Sequence, residues 1–202
     1  MANICSSSVT FKSENETDLK FLHELFLKAK NTENYYTEGI CNDLKIGIKN
    51  NYDLGFIYDV SEEVSSHFQI ERETKWSPRT DLFDAITEKF EGMEYVYCAE
   101  ECGGEIYVNT DLDGEFYDKN FKLNIWGFDD FPLSVLKFFN LSKIASLDDE
   151  KYFSNLNSFI DECNNLLNRE FTYFEEVERF CDTLSKVTDK CINVHMFQDS
   201  EY

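Results

Sequence analysis

Three groups of residues in this chain have types and spacings that chemistry could use. The first is the run Asn109-Thr-Asp111-Leu-Asp113-Gly114-Glu-Phe-Tyr-Asp118-Lys-Asn120. It places oxygen-bearing side chains at alternate positions and Gly at the sixth, like the first half of a calcium loop. Its twelfth position is Asn120, which has no carboxylate to chelate with, and no helix leads into it. Asp-Gly between two strand-like runs reads instead as a β-turn. The second group is Cys98 and Cys102 around Glu100-Glu101, with His67 and His195 distant in sequence. Zinc sites use tight cysteine or histidine pairs with a matching second pair, and none occurs. Cys5, Cys163 and Cys181 fall at apolar positions, where free thiols are ordinarily buried. Adjacent Glu100 and Glu101 would point to opposite sides of a strand, so they do not read as an acid/base pair. Neither G-x-S-x-G, a P-loop nor G-x-G-x-x-G is present. The reading is a non-enzyme with no catalytic residue, no cofactor and no metal.

The third group is the acids. The chain carries 40 Asp and Glu against 19 Lys and Arg, a net charge of −21 in 202 residues. Residues 61–130 alone hold 18 acids and 6 bases. With 42% hydrophobic and 16% aromatic residues, the chain has the material for a core that acidic tails lack. The charge is therefore expected on an ordered surface. Such a surface repels nucleic acid and anionic membranes and attracts basic grooves. A net charge of about −8 would serve solubility alone in a small domain. The partner-binding candidates are Glu71, Glu73, Asp81, Asp84, Glu88, Glu91, Glu100, Glu101, Asp111 and Asp113. Tyr95, Tyr97, Tyr107 and Tyr117 could stack on bases, but the acidic field around them opposes phosphate, and they read as sheet packing.

The elements that must position these residues follow from periodicity. Ile4 to Phe11 alternates as a strand, and Leu19, Leu22, Leu25, Phe26 and Ala29 stripe a helix over 17–30, capped by Asn15 or Thr17. Residues 31–55 give no firm pattern. Phe56 to Val60 and His67 to Trp76 read as strands, with Phe68, Ile70 and Trp76 inward. Ser77-Pro78 is expected to open a helix whose stripe is Leu82, Phe83, Ile86 and Phe90, with Ser77 as its cap. Met93–Glu100 and Glu105–Thr110 form a hairpin through Gly103-Gly104, and a strand over 121–126 follows the Asp113-Gly114 turn. Helices are expected over 133–140, 148–168 and 174–191, then a strand over 192–197. The fold class is α+β, with an antiparallel sheet and helices on one face. The expected organisation is a domain over 1–130 and a mainly helical region, 131–202, packed on it.

The start MANICSSSVTF, the segment KWSPRTDLFDAITEKFEGMEYVY and the following AEECGGEIYVNTD resemble the YubB-type ferredoxin-like domain of phage and plasmid proteins. The motifs concerned are a Met-x-Asn-x-Cys-Ser strand, a Trp-Ser-Pro turn into a helix, and a hairpin with Glu and Gly in its turn. The likeness covers residues 1–130. It implies a ferredoxin-like fold and a mobile-element origin, and it carries over no enzymatic activity. No apolar run approaches a membrane span, and the N-terminal residues lack the features of a signal peptide. Seven Cys without framework spacing read as reduced thiols, which points to the host cytoplasm. The expected function is inhibition of a host nucleic-acid-handling defence complex, above all an RNA-guided nuclease (an anti-CRISPR role). The acidic face would occupy the basic groove of that host protein. The alternative is an acidic antitoxin or immunity-type protein that masks a basic toxin.

Overall fold

The computed structural model describes residues 3–32, 36–48, 55–101, 103, 106–126, 133–144, 147, 149–188 and 192–199. The chain is α+β and divides into two compact units, one running to Tyr117 and the other spanning Asp118–Gln198.

The first unit contains β1 (Ile4–Lys12), α1 (Glu16–Asn31), α2 (Tyr36–Leu44), β2 (Phe56–Val60), β3 (His67–Lys75), α3 (Asp81–Lys89), β4 (Glu94–Glu101) and β5 (Ile106–Asn109). Its five strands lie in the order β2-β3-β1-β4-β5, with every neighbouring pair antiparallel. β1 to β4 with α1 and α3 form two split β-α-β units, the ferredoxin-like arrangement, and β5 extends the sheet beyond β4. Alternation on each strand sends one set of side chains toward the helices. Cys5, Val9, Phe11, Phe68, Ile70, Tyr97 and Ala99 are buried there against Leu19, Leu22 and Phe26 of α1 and Leu82, Phe83 and Ile86 of α3. Phe11 sits at the centre, its ring 5.5 Å from Phe26, 5.4 Å from Phe68 and 5.7 Å from Phe83. α1 starts where the Asn15 side chain accepts the Thr17 and Asp18 N–H groups at 3.1 and 3.3 Å. Gly55 opens β2 with φ +87°, and a Cβ there would strike the Glu73 carbonyl and the Thr74 methyl.

Arg72 also points to the helix layer. It is fully buried, its guanidinium 4.6 Å from the centre of the Phe83 ring. Loss of hydration lowers its pKa to about 10, with the nearby Arg79 charge adding to the effect.

Two expectations need correction here. Ser77 does not cap α3; Thr80 stands at the N-cap and its side chain makes no capping hydrogen bond. Trp76 is not inward but 57% exposed, because its φ of +70° breaks the alternation of β3. Residues 36–44, without a clear pattern in sequence, form α2, which buries Ile40, Cys41 and Leu44.

The second unit contains β6 (Phe121–Ile125), α4 (Leu133–Phe139), β7 (Asp149–Phe153), α5 (Leu156–Leu167), α6 (Phe174–Thr188) and β8 (Ile192–Met196). Its sheet has the order β7-β6-β8, all antiparallel. Leu123 and Ile125 share a core with Phe159, Cys163, Leu167, Val177, Cys181 and Leu184. The helix expected over 148–168 is in fact a strand and a shorter helix. Asp149–Phe153 pairs residue by residue with β6, and α5 begins only where Asn155 accepts the Ser158 N–H at 2.9 Å. The partner strand overrides a sequence that would tolerate helix. The division between units also falls earlier than residue 130, because β6 pairs with β7 and β8. Among the described residues no helix is long and apolar enough to cross a membrane.

Candidate protein-interaction face

The sheet of the first unit has a second face, turned away from α1 and α3. It collects the alternate set of strand residues, and their registers align them in rows. Phe56, Glu73, Ser6, Glu100 and Tyr107 form one row, and Asp59, Glu71, Ser8, Cys98 and Asn109 the next. Glu73 and Glu100 flank Ser6 from opposite sides, so their backbones stand about 10 Å apart, two strand spacings. Glu71 accepts hydrogen bonds from Ser8 Oγ at 2.5 Å, Gln69 Nε2 at 3.2 Å and Tyr58 Oη at 3.4 Å. These bonds hold its carboxylate in place. Burial raises the pKa of Tyr58, and the charges of Glu71 and Glu73 raise it further. Apolar side chains share this face. Ile4 is 50%, Phe56 51% and Tyr58 44% exposed.

The loop that follows β5 covers part of the same face. Asp111 is buried, and its Oδ2 accepts the N–H groups of Phe116 at 2.6 Å and Tyr117 at 2.8 Å. Asn109 accepts the Asp111 N–H at 3.0 Å and donates to the Tyr117 carbonyl at 3.1 Å. Gly114, with φ +67°, closes the turn by donating to the Asp111 carbonyl at 3.0 Å. Tyr117 is thereby laid over β1, its hydroxyl 2.8 Å from Thr10 Oγ1. Burial pushes its pKa well above the ordinary tyrosine range. The side-chain oxygens of Asn109 and Asp111 thus serve the loop's own backbone around the Asp113-Gly114 turn. Among the described residues no three His, Cys, Asp or Glu side chains gather as ligands for a metal ion.

The ten candidate acids do not form one surface. Glu71, Glu73 and Glu100 lie on the sheet face described above. Asp81, Asp84 and Glu88 are exposed on α3, in the helix layer on the opposite side. There Asp81 is held by Arg79 at 2.9 Å and Asp84 accepts from Tyr95 Oη at 2.7 Å. Glu91 is exposed in the turn before β4, and Asp113 at the tip of the 110–117 loop. Glu101 and Asp111 are corrections: both are buried, at 2% and 6% exposure, and neither can meet a partner. Glu101 alternates into the helix-side layer and accepts the Gly103 N–H at 2.9 Å.

Sequence reasoning missed Phe56, Tyr58, Ser6 and Ser8. The only signal was their alternation with buried neighbours, which does not say which face a helix will cover. Of the four tyrosines expected to pack, Tyr97, Tyr107 and Tyr117 are buried and Tyr95 is half-buried against the core. Cys5, Cys41, Cys98, Cys163 and Cys181 are buried, while Cys102 lies outside the described residues. Burial raises the pKa of Cys41 to about 11 and of Cys163 to about 12. That is the opposite of what a nucleophilic thiolate needs. His23 is a core histidine, its Nε2 2.7 Å from the Ser61 carbonyl. No protein-family model, no curated protein and no solved structure matches this chain.

Proposed function

We propose that this protein is a non-enzymatic inhibitor of mobile-element origin, active in the host cytoplasm against a nucleic-acid-handling defence complex. An RNA-guided nuclease is the foremost target. The inhibitor sets carboxylates into the basic groove where that complex holds its nucleic acid. The observation that carries this reading is the row Phe56–Glu73–Ser6–Glu100, with Glu71 and Tyr58 beside it. Strand-borne carboxylates need little ordering on binding, so less of the electrostatic attraction is offset by lost entropy. Exposed aromatics beside them supply the desolvated anchors on which interfaces depend. The net charge of −21 steers the encounter toward a basic surface and away from phosphate. The resemblance of residues 1–130 to a phage and plasmid family points the same way. The test is to add the purified chain to reconstituted RNA-guided nucleases and follow DNA cleavage. Inhibition that excess DNA relieves supports the reading; a panel of nucleases left untouched would count against it.

A further inference from the structure

Where β1 gives way to α1, the first unit holds an open cleft of about 610 Å³. That lies within the size range of sites that enclose small ligands or single side chains. Four carboxylates line it, those of Glu14, Glu91, Glu94 and Glu115. Glu94 is ion-paired with Lys12 at 3.3 Å. Glu14, Glu91 and Glu115 are exposed and make no ion pair among the described residues. The cleft therefore keeps an excess of negative charge that repels anionic ligands.

Two further features narrow the occupant. Phe116 lines the cleft, its ring 4.9 Å from the His67 ring in an edge-on contact. Its backbone is fixed by the Asp111 carboxylate. An aromatic face has no donor atom to replace the water around a metal ion, but it binds a weakly hydrated organic cation, a planar guanidinium above all. Ser13, 9% exposed, also lines the cleft. Its Oγ accepts the Asn15 N–H at 3.1 Å, and no acceptor for its own hydroxyl hydrogen occurs among the described residues. A peptide carbonyl would supply that acceptor, whereas a polyamine would not.

We propose that this cleft receives an arginine of the target protein. The guanidinium is held by the unpaired glutamates with its plane against Phe116, and the peptide carbonyl accepts from Ser13. This assignment rests on the reading of the target as a basic protein, and it names the side chain that is gripped.

The test is a titration of the full chain with acetylated, amidated Ala-Arg-Ala, followed through the amide signals of Gly92 and Phe116. The lysine analogue and spermidine serve as comparators. Saturable one-to-one binding is expected, at least threefold tighter for the arginine peptide than for either comparator. Glu91→Gln with Glu115→Gln should weaken it at least fivefold. The same loss of charge at Glu175→Gln with Glu178→Gln on α6 should leave it unchanged. Phe116→Leu should erase the preference for arginine over lysine. Absence of saturable binding, or equal losses in the two double variants, would overturn the assignment. If the peptide fails to bind yet nuclease inhibition persists, the cleft is wrong and the inhibitor reading stands. If the peptide binds as expected and no nuclease is inhibited, the target is at fault and the cleft stands.

Discussion

Removing the Asp111 carboxylate should loosen the loop that lays Tyr117 over the sheet. One oxygen accepts two backbone N–H groups, at 2.6 and 2.8 Å, from a position only 6% exposed. Hydrogen bonds to a charged group contribute about 1.5–3 kcal/mol each, and a donor left buried without a partner costs comparably. The two bonds share an acceptor and are not additive, so Asp111→Ala is expected to cost about 3 kcal/mol. At a urea dependence of roughly 1–3 kcal/mol per molar, the midpoint should fall by at least about 1 M. Asp111→Asn keeps one carbonyl acceptor and should lose roughly half as much. The assay is urea unfolding followed by circular dichroism, with Asp113→Ala as the control. Asp113 is exposed at the loop tip, where surface changes usually stay within about 0.5 kcal/mol. If Asp111→Ala shifts the midpoint no more than Asp113→Ala does, the argument that this carboxylate organises the loop is wrong.

Other expectations concern both units. Gly55→Ala should destabilise far more than Gly92→Ala. Both have positive φ, but a Cβ at Gly55 meets backbone and the Thr74 methyl while one at Gly92 meets nothing within 4 Å; thermal melting of the two variants checks this. Asn155→Ala should cost about 1 kcal/mol by removing the acceptor that starts α5, measurable by the same melts. Burial raises Cys41 to about 11 and Cys163 to about 12. The native state therefore holds these protons where the unfolded chain has released them. Stability should be flat below about pH 8.5, the ordinary thiol pKa, and fall as pH rises toward 11. Replacing both thiols by Ala should make that decline shallower in urea titrations at pH 8 and 10, while buried Cys181, raised in the same direction, keeps part of it.

Much of the fold was legible because its strongest signals are local. Val9 and Phe11 alternate, Leu19 to Ala29 stripes one helical face, and Asp113-Gly114 punctuates the strands, while Gly104 of the expected Gly103-Gly104 turn lies outside the described residues. The misreadings occur where a distant partner decides. Asp149–Phe153 is a strand because β6 lies beside it, and Trp76 faces solvent because the backbone turns to positive φ there. The acids were visible as a composition but not as a surface. Glu100 and Glu101 are neighbours in sequence, yet one reaches the outer sheet face and the other is buried and accepts the Gly103 N–H. Asp81 and Glu71 are both acids of residues 61–130, but the sheet separates them. The cleft draws on the ends of β1, β3 and β4, on the turn between α3 and β4 and on the 110–117 loop, a juxtaposition that no spacing in the sequence announces.

The measurement that bears most directly on the central claim compares two charge-reversed variants as nuclease inhibitors. One carries Glu71→Lys, Glu73→Lys and Glu100→Lys on the outer sheet face; the other carries Asp81→Lys, Asp84→Lys and Glu88→Lys on α3. Both change the net charge by the same amount, and circular dichroism verifies that each is folded. The account predicts that the sheet-face variant loses inhibition while the α3 variant retains it. Loss in the α3 variant alone, or equal loss in both, would contradict the claim that the sheet face is the surface that acts.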